Sequence, residues 1–372
     1  MKKVTFVTNI PSPYRLEFFD QLGQLVDLTV IFEAERNYAL NEKWYTDKIR
    51  TFKAIFLKKG AIEERKINWK ILKYISRKQD VLIFTNYSCF TEMAALLWAK
   101  LRRIPYWMEL DGALLHKEGK VKHWVKSFLI RGAQQYLSSS ENTDRVLEHH
   151  GVNKNKIQRY PFTSVSECQV LDHVPTKEKK EKLRQQLGMT EGKIIISVGQ
   201  FIHRKGFDIL LHTAAQLPKD IGVYIIGGKP TDDYLQIKKE MNLQRVHFVD
   251  FMPTDQLSKY YQAADAFVFP TREDIWGLVV NEAMANGLPV ITTERCVAGL
   301  ELVKNGENGY IVPVDDADAL AEAVTKFYAG DMRSMAEEAL RAIRGYTIEE
   351  MAKKHLRLMN FDNNLGIKYD EL

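Results

Sequence analysis

Several things this sequence has little of narrow what it can be. It holds three cysteines in 372 residues, Cys89, Cys168 and Cys296, at no paired spacing. Neither a disulfide framework nor a zinc site is expected, and a reduced, cytoplasmic setting fits. No apolar run approaches the roughly 20 residues that a transmembrane helix needs. The start, Met-Lys-Lys-Val-Thr-Phe-Val-Thr, is basic and then apolar, but Asn9, Pro11 and Pro13 interrupt it too early for a signal peptide. It reads as a first strand, Lys3 to Thr8. No nucleic-acid motif occurs, and the basic residues lie in amphipathic stretches, so no nucleic-acid partner is expected. The spacing Gly199-x6-Gly206 does not fit a dinucleotide fingerprint, which argues against a dehydrogenase.

What is present is a length suited to two domains, each able to bury its own core, and an alternation of short β-prone runs with helical stretches that predicts a parallel-sheet α/β architecture. Charge is uneven. Residues 1–172 hold 28 Lys and Arg against 19 Asp and Glu, whereas residues 173–372 hold 25 against 29. A basic first half could face an anionic membrane or an anionic lipid-linked molecule, although surface composition alone would give the same imbalance.

One stretch, Pro270 to Thr292, concentrates the chemistry. Ala266 to Phe269 before it reads as a buried strand, Thr271 to Trp276 as a polar loop and Leu278 to Ala285 as a helix. Gly287 supplies a stop, and Pro289 to Thr292 reads as the next strand. This is one crossover unit of a parallel sheet. Gly277 at the helix start lets a ligand approach closely, and the amides of Trp276, Gly277, Leu278 and Val279 lie at the positive end of the macrodipole, a phosphate site. Asp274 precedes Gly277 by three residues and Glu282 follows it by five. A carboxylate accepts two hydrogen bonds from a vicinal diol. Phosphate flanked by two diol readers describes a nucleotide-sugar.

This stretch resembles the signature of the family-4 retaining glycosyltransferases of GT-B fold, the glycogen-synthase-like enzymes, of the kind that builds bacterial surface polysaccharide. Their pattern is an acid, seven residues, then Glu, around a Gly and ahead of Glu-Ala-Met-Ala. The resemblance implies that Glu282 holds the donor ribose, that Asp274 contacts the transferred sugar, and that the amides of Trp276, Gly277 and Leu278 hold the distal phosphate. The first acid is usually Glu. Here Asp274 is aligned with it and Glu273 stands beside it, so either can fill that role. A second motif, Gly199-Gln-Phe-Ile-His-Arg-Lys-Gly-Phe-Asp208, follows the strand Lys193 to Val198, about 75 residues earlier. By resemblance Arg204 and Lys205 clamp the diphosphate and Gly199 admits the backbone to it. Two cations there would offset charge on a departing diphosphate. The stretch Asp250-Phe251-Met-Pro253 corresponds to the base site, though Gly is usual where Asp250 stands.

The first half matches that family in layout only. The loop Asn9 to Arg15 follows the first strand at the sheet edge where ligands bind in doubly wound folds. Family members carry a Gly-rich acceptor loop there; this one is stiffened by Pro11 and Pro13, and Pro13, Tyr14 and Arg15 are candidate acceptor-side residues. Glu109-Leu-Asp-Gly112 ends a strand, and Asp111 is a candidate catalytic or acceptor-side acid, with a turn or cap as the competing role. Ile67 to Ile75 reads as a basic amphipathic helix. In Gly119 to Leu137, Val121, Trp124, Val125, Phe128 and Leu129 follow helical spacing beside Lys120, Lys122, Lys126 and Arg131, which fits packing on a sheet or lying in a membrane interface. Asp316-Ala-Asp318 resembles a metal-binding pair but begins a helix, where acids cap. His149-His150 lacks ligand spacing and reads as surface.

The expectation is therefore two doubly wound Rossmann-like domains facing across a cleft. Residues 1–168 form an acceptor-side domain and 169–347 a nucleotide-sugar domain, with a helix of about 348–372 crossing back. The implied reaction is retaining transfer of a hexose or N-acetylhexosamine, from a UDP-sugar by family frequency, to a glycan or lipid-linked glycan. No cofactor and no metal are expected, and the setting is cytoplasmic, with peripheral contact on an anionic membrane as a further expectation. A nucleotide-sugar epimerase of similar build and a non-catalytic nucleotide-sugar binder are the alternatives.

Overall fold

The computed structural model describes residues 1–37 and 50–361. The chain divides into two compact units: Met1–Thr163 with the segment from Thr347, and Ser164–Tyr346. The division falls five residues before the expected 168/169 boundary.

The first unit is built on seven parallel strands: β1 (Lys3–Thr8), β2 (Asp27–Arg36), β3 (Lys53–Ala61), β4 (Val81–Phe84), β5 (Trp107–Leu110), β6 (Gln135–Ser138) and β7 (Ile157–Arg159). Their order is β3-β2-β1-β4-β5-β6-β7. Strand β1 pairs with β2 from Lys3↔Asp27 to Thr8↔Phe32, and with β4 from Val4↔Val81 to Val7↔Phe84. Val81-Leu-Ile-Phe84 is apolar throughout because a parallel sheet is covered on both faces, and all four residues are buried. The chain leaves β1 in one direction and β4 in the other. Their carboxyl ends are thus the switch point where doubly wound sheets place ligands. The loop after β1 runs into the helix Pro13–Gly23, with proline in its first turn, where a missing N–H costs nothing.

Two expectations in this unit need correction. Ile67–Ile75 is not a helix; only a 3-10 turn, Trp69–Lys73, forms, started by Asn68 accepting from the Lys70 amide, and Ile71 is its one buried residue. Of its apolar residues only Ile71 and Ile75 are buried, while Trp69 is 64% exposed, so too few positions face inward to sustain a full helix. The helix expected over 119–137 is Lys120–Ile130, and it does not lay its aromatic stripe on the sheet. It buries Ser127, Leu129 and Ile130. Val121 and Trp124 are 78% and 67% exposed, and Val125 and Phe128 are exposed beside them. His150, expected at the surface, is buried, with Ser127 Oγ 2.9 Å from its Nδ1. The last described helix is Ile348–Phe361; the remainder of the stretch expected as helix to 372 lies outside the described residues.

The second unit has six parallel strands: β8 (Lys193–Val198), β9 (Ile221–Ile226), β10 (Val246–Val249), β11 (Ala266–Phe269), β12 (Val290–Thr293) and β13 (Gly309–Val312). Their order is β10-β9-β8-β11-β12-β13. Strand β11 pairs with β8 at Ala266↔Ile195 and Phe267↔Ile196. The switch point lies between β8 and β11, which brings the two sequence motifs to one sheet edge. Both sheets are doubly wound α/β, as the alternation predicts. Asp316 caps the helix Ala317–Ala329 by accepting from the Ala319 amide at 2.8 Å, the cap role. Among the described residues no helix is long and apolar enough to cross a membrane.

Candidate functional site

In the second unit the loops after β8 and β11 are stitched together by backbone. The Arg204 carbonyl accepts from the Arg272 amide at 2.8 Å and from Thr271 Oγ1 at 3.0 Å. Gly206 is left-handed (φ +68°), and a Cβ there would lie 2.0 Å from the Pro270 carbonyl oxygen. Only glycine permits this approach. Its effect is to place the Arg204–Lys205 pair over the acid loop.

The resulting cluster is compact. Lys205 Nζ lies 2.6 Å from Asp274 Oδ2, and Arg204 Nη1 lies 3.3 Å from the same oxygen. Arg204 also donates to the Glu273 carbonyl at 2.7 Å. The Glu273 carboxylate turns away to Arg295 at 2.6 Å. Of the two adjacent acids, then, Asp274 faces the cations. The Lys205 stem passes 3.5 Å from where a Gly199 Cβ would stand, and its ammonium lies 4.8 Å from the centre of the Phe269 ring. Gly277 is the N-cap of the helix Leu278–Ala285, at φ +101°. Trp276 is buried and donates its indole N–H to Asn281 at 2.8 Å, so it packs under the helix end. Leu278 opens the helix; the Val280 amide donates to the Gly277 carbonyl at 2.8 Å, and the Leu278 and Val279 amides precede any intrahelical acceptor.

Glu282 lies one turn further on. It accepts from Tyr261 and Ser164, each at 3.3 Å. Burial pushes its carboxyl up to about 7, against those two bonds. Phe251, in the stretch expected to read a base, is half-buried, and its amide is taken by the Asp250 carboxylate at 2.7 Å. That amide is engaged within the loop, a consequence of Asp standing where Gly is usual.

Sequence reading missed the residues that brace this site. Arg272 grips Asp208 with both arms, at 2.8 and 2.6 Å, and Asp315 through Nε at 2.7 Å. Burial pushes Asp208 up, but the bonds and charge of Arg272 outweigh it and hold it low. The signal available was Asp208 closing the Gly-x-Asp motif.

In the first unit, Pro13 and Tyr14 are half-buried at the start of their helix. Arg15 is 3% exposed. One of its nitrogens bonds Glu109 at 2.5 Å and the other bonds Asp111. Both terminal nitrogens of Arg15 are thus engaged, one of them in holding Asp111. Asp111 also accepts from Tyr160 at 3.0 Å, and its side chain is 24% exposed. Burial pushes Asp111 up from the usual carboxylate range. Glu109 is wholly buried. Burial raises it too, but Arg15 and His355 overcome that and pull it down to about 2. His355, on the last helix, reaches Glu109 at 3.0 Å. The partnership of Glu109, Tyr160 and His355 spans 246 residues of chain and has no local sequence signal.

Parts of this chain are similar to known proteins. Residues 179–344 match the family model "Glycosyl transferases group 1". The chain is 32% identical over 200 residues to a D-inositol 3-phosphate glycosyltransferase of Corynebacterium urealyticum, covering 49% of this chain and 46% of the relative. It is 29% identical over 176 residues to the lipopolysaccharide core biosynthesis glycosyltransferase LpsE of Rhizobium meliloti, covering 45% and 50%. The chain thus spans about half the length of the curated relatives it matches. Among solved structures it is similar to Anabaena Alr3699/HepE, determined in complex with UDP, with a TM-score of 0.76, 16% identity, and 96% and 99% of the two chains covered. It is similar also to sucrose-phosphate synthase from Thermosynechococcus elongatus, with a TM-score of 0.74, 20% identity, and 98% and 100% covered. Over residues 179–344 this chain is thus similar to the glycosyl transferases group 1, and its two doubly wound units share the fold of these solved structures.

Proposed function

We propose that this protein is a retaining glycosyltransferase that moves a hexose or N-acetylhexosamine from a nucleotide-diphosphate sugar to a glycan or lipid-linked glycan. The observation that carries the reading is the convergence of Arg204, Lys205 and Asp274 within 3.3 Å at the helix end marked by Gly277. Two cations and a helix N-terminus suit a diphosphate, and Asp274 and Glu282 suit sugar hydroxyls. In this reading the bond from the anomeric carbon to the phosphate oxygen breaks. The bond to the acceptor oxygen forms on the same face, and the acceptor proton passes to the departing phosphate. No enzyme nucleophile is needed. Arg204, Lys205 and the first-turn amides stabilise the charge left on the diphosphate, so transfer should proceed without added magnesium or manganese. A diphosphate would compete with Asp274 for Lys205, which frees that carboxylate to meet the sugar. UDP is the preferred nucleotide, supported by family frequency and by the structural neighbour solved with UDP.

The acceptor side is assigned to Asp111 with Pro13 and Tyr14, and Arg15 holds Asp111 in place. A lipid-linked acceptor is supported by the helix Lys120–Ile130, which presents Val121, Trp124, Val125 and Phe128 to solvent beside Lys120 and Lys122. Exposed Trp and Phe flanked by lysines suit the interface of an anionic bilayer. Flotation with phosphatidylglycerol vesicles should recover the protein. Phosphatidylcholine vesicles, or a Trp124→Ala, Phe128→Ala, Lys122→Glu variant, should not.

The deciding experiment is a thermal-shift panel with UDP, GDP, ADP, NAD and their common sugar conjugates, on wild type and Glu282→Ala, followed by transfer assays with the sugar that stabilises. Stabilisation by one nucleotide series, lost in the variant, supports the donor site. Donor turnover without acceptor would favour an epimerase, and binding without transfer a non-catalytic partner. Equal shifts in both proteins would remove Glu282 from the site.

A further inference from the structure

The carboxyl edge of the first unit's sheet holds a second group of side chains that the proposed reaction does not use. Glu33 lies on β2, Cys89 immediately precedes the helix Phe90–Leu101, and Glu92 lies in that helix's first turn. All three are buried, Glu92 completely. Each offers one ligand atom, and those atoms lie within 4.8 Å of one another. Both oxygens of Glu92 and one of Glu33 have no hydrogen-bond partner. The other Glu33 oxygen is met by Thr91 and Cys89, and Asn86 Nδ2 approaches the Cys89 sulfur at 3.5 Å. The only other charged group acting on the cluster is a further acid, Glu64; no cation does so among the described residues.

Such an arrangement is costly unless something answers it. A buried carboxylate without a partner loses its hydration and gains nothing in return. A lysine or arginine is the usual answer, and none of the described residues supplies one. A proton bound to Glu92 would be the next answer, but a protonated carboxyl still needs an acceptor for its hydrogen, and neither Glu92 oxygen is bonded. What remains is a cation held by all three groups. We propose that Glu33, Cys89 and Glu92 form a divalent-cation site, and that the donor set of two carboxylates and one thiolate selects zinc. Zinc binds carboxylate oxygen at about 2.0–2.2 Å and thiolate at about 2.3 Å, which puts tetrahedral ligand atoms roughly 3.5 Å apart. The side chains would draw in by about an ångström. A water would complete the coordination. Binding through the Cys89 sulfur requires the thiolate, so zinc uptake would release at least that proton.

The position gives the ion a role. The Ala34 amide, next to Glu33, donates to the Asn9 carbonyl at 3.1 Å. Bound zinc would tie β2 to the helix that follows β4 and brace the loop leading to Pro13 and Tyr14. Sequence spacing missed the site because Glu33 lies 56 residues before Cys89 and the set includes a single cysteine. Another trio, Glu118, His123 and His149, has similar spacing. Lys126 already answers Glu118 at 2.8 Å, and His149 is exposed. It serves as the control.

The test is titration of the chelator-stripped full chain with Co²⁺ and then Zn²⁺. One equivalent of cobalt should give a near-ultraviolet thiolate-to-metal band that zinc abolishes, and zinc should raise the melting temperature. Cys89→Ser should remove the band, whereas Cys168→Ser and His149→Ala should keep it. Glu92→Gln, checked for folding by circular dichroism, should weaken zinc binding by more than about tenfold. The proposal is overturned by absence of the band in folded wild type, by its persistence in Cys89→Ser, or by its loss in His149→Ala.

Discussion

At Glu282 burial works against the charged form, and the carboxyl titrates at about 7. A carboxylate accepts both hydrogens of a diol, whereas a protonated carboxyl does so poorly. Nucleotide-sugar affinity should therefore rise with pH up to about 7 and level off above it, with a limiting slope of about tenfold per pH unit on the acid side. Stability moves the other way. A carboxyl whose folded value is raised contributes stability that is present below its unfolded value near 4.3 and is lost as pH climbs through 7. Isothermal titration from pH 5.5 to 8.5 checks the first statement, and Glu282→Gln should flatten the profile. Lys205 makes a different kind of contribution, because its charge matters most when the diphosphate departs. Lys205→Ala should lower kcat by about a hundredfold or more while affinity for UDP falls much less. Equal losses in both would mean that Lys205 serves binding alone.

At the scale of the element, the helix Leu278–Ala285 depends on its first residue contact. A Cβ on Gly277 would stand 2.8 Å from Cys296 Sγ, on a backbone already at φ +101°. Gly277→Ala should destabilise the second unit by about 1–3 kcal/mol and displace the first-turn amides, seen as a lower urea midpoint together with weaker UDP binding. This element was fully legible in sequence: an apolar strand, a polar loop, glycine, a helix former run and a stop lie within 28 residues, and each signal is local. The helix Lys120–Ile130 was half legible. Its period showed a helix, but period alone does not say whether an apolar stripe meets a sheet or solvent, and Val121, Trp124, Val125 and Phe128 are exposed. The stretch Trp69–Lys73 misled because its apolar spacing suggested a helix that too few inward positions sustain. The Arg15–Glu109–His355 chain was illegible, since no local pattern pairs a strand with a helix so far along the chain.

That chain of contacts acts on the molecule as a whole, because it holds the C-terminal helix to the first unit rather than to the second. His355 sits between Phe18, with ring centres 4.8 Å apart, and Tyr160, at 4.9 Å. Its Nδ1 faces the Met351 carbonyl and its Nε2 faces Glu109. Removing the ring would leave Glu109 with Arg15 alone, and Arg15 is shared with Asp111. Breaking one side of a buried ion network costs roughly 3–5 kcal/mol. His355→Ala should therefore loosen the first unit, with faster amide exchange in β1, β5 and Pro13–Gly23, and leave β8 to β13 unchanged. Glu109→Gln in the same chain should recover part of the loss, because the uncompensated charge goes with it; a purely steric role for His355 predicts no recovery. Acid should act at the same place. Glu109 is held down to about 2, so its stabilisation is complete above its unfolded value near 4.3 and is lost as pH falls toward 2. Exchange measured between pH 5 and 3 should show the first unit opening before the second. If the two units open together, the network does not set the acid limit of this fold.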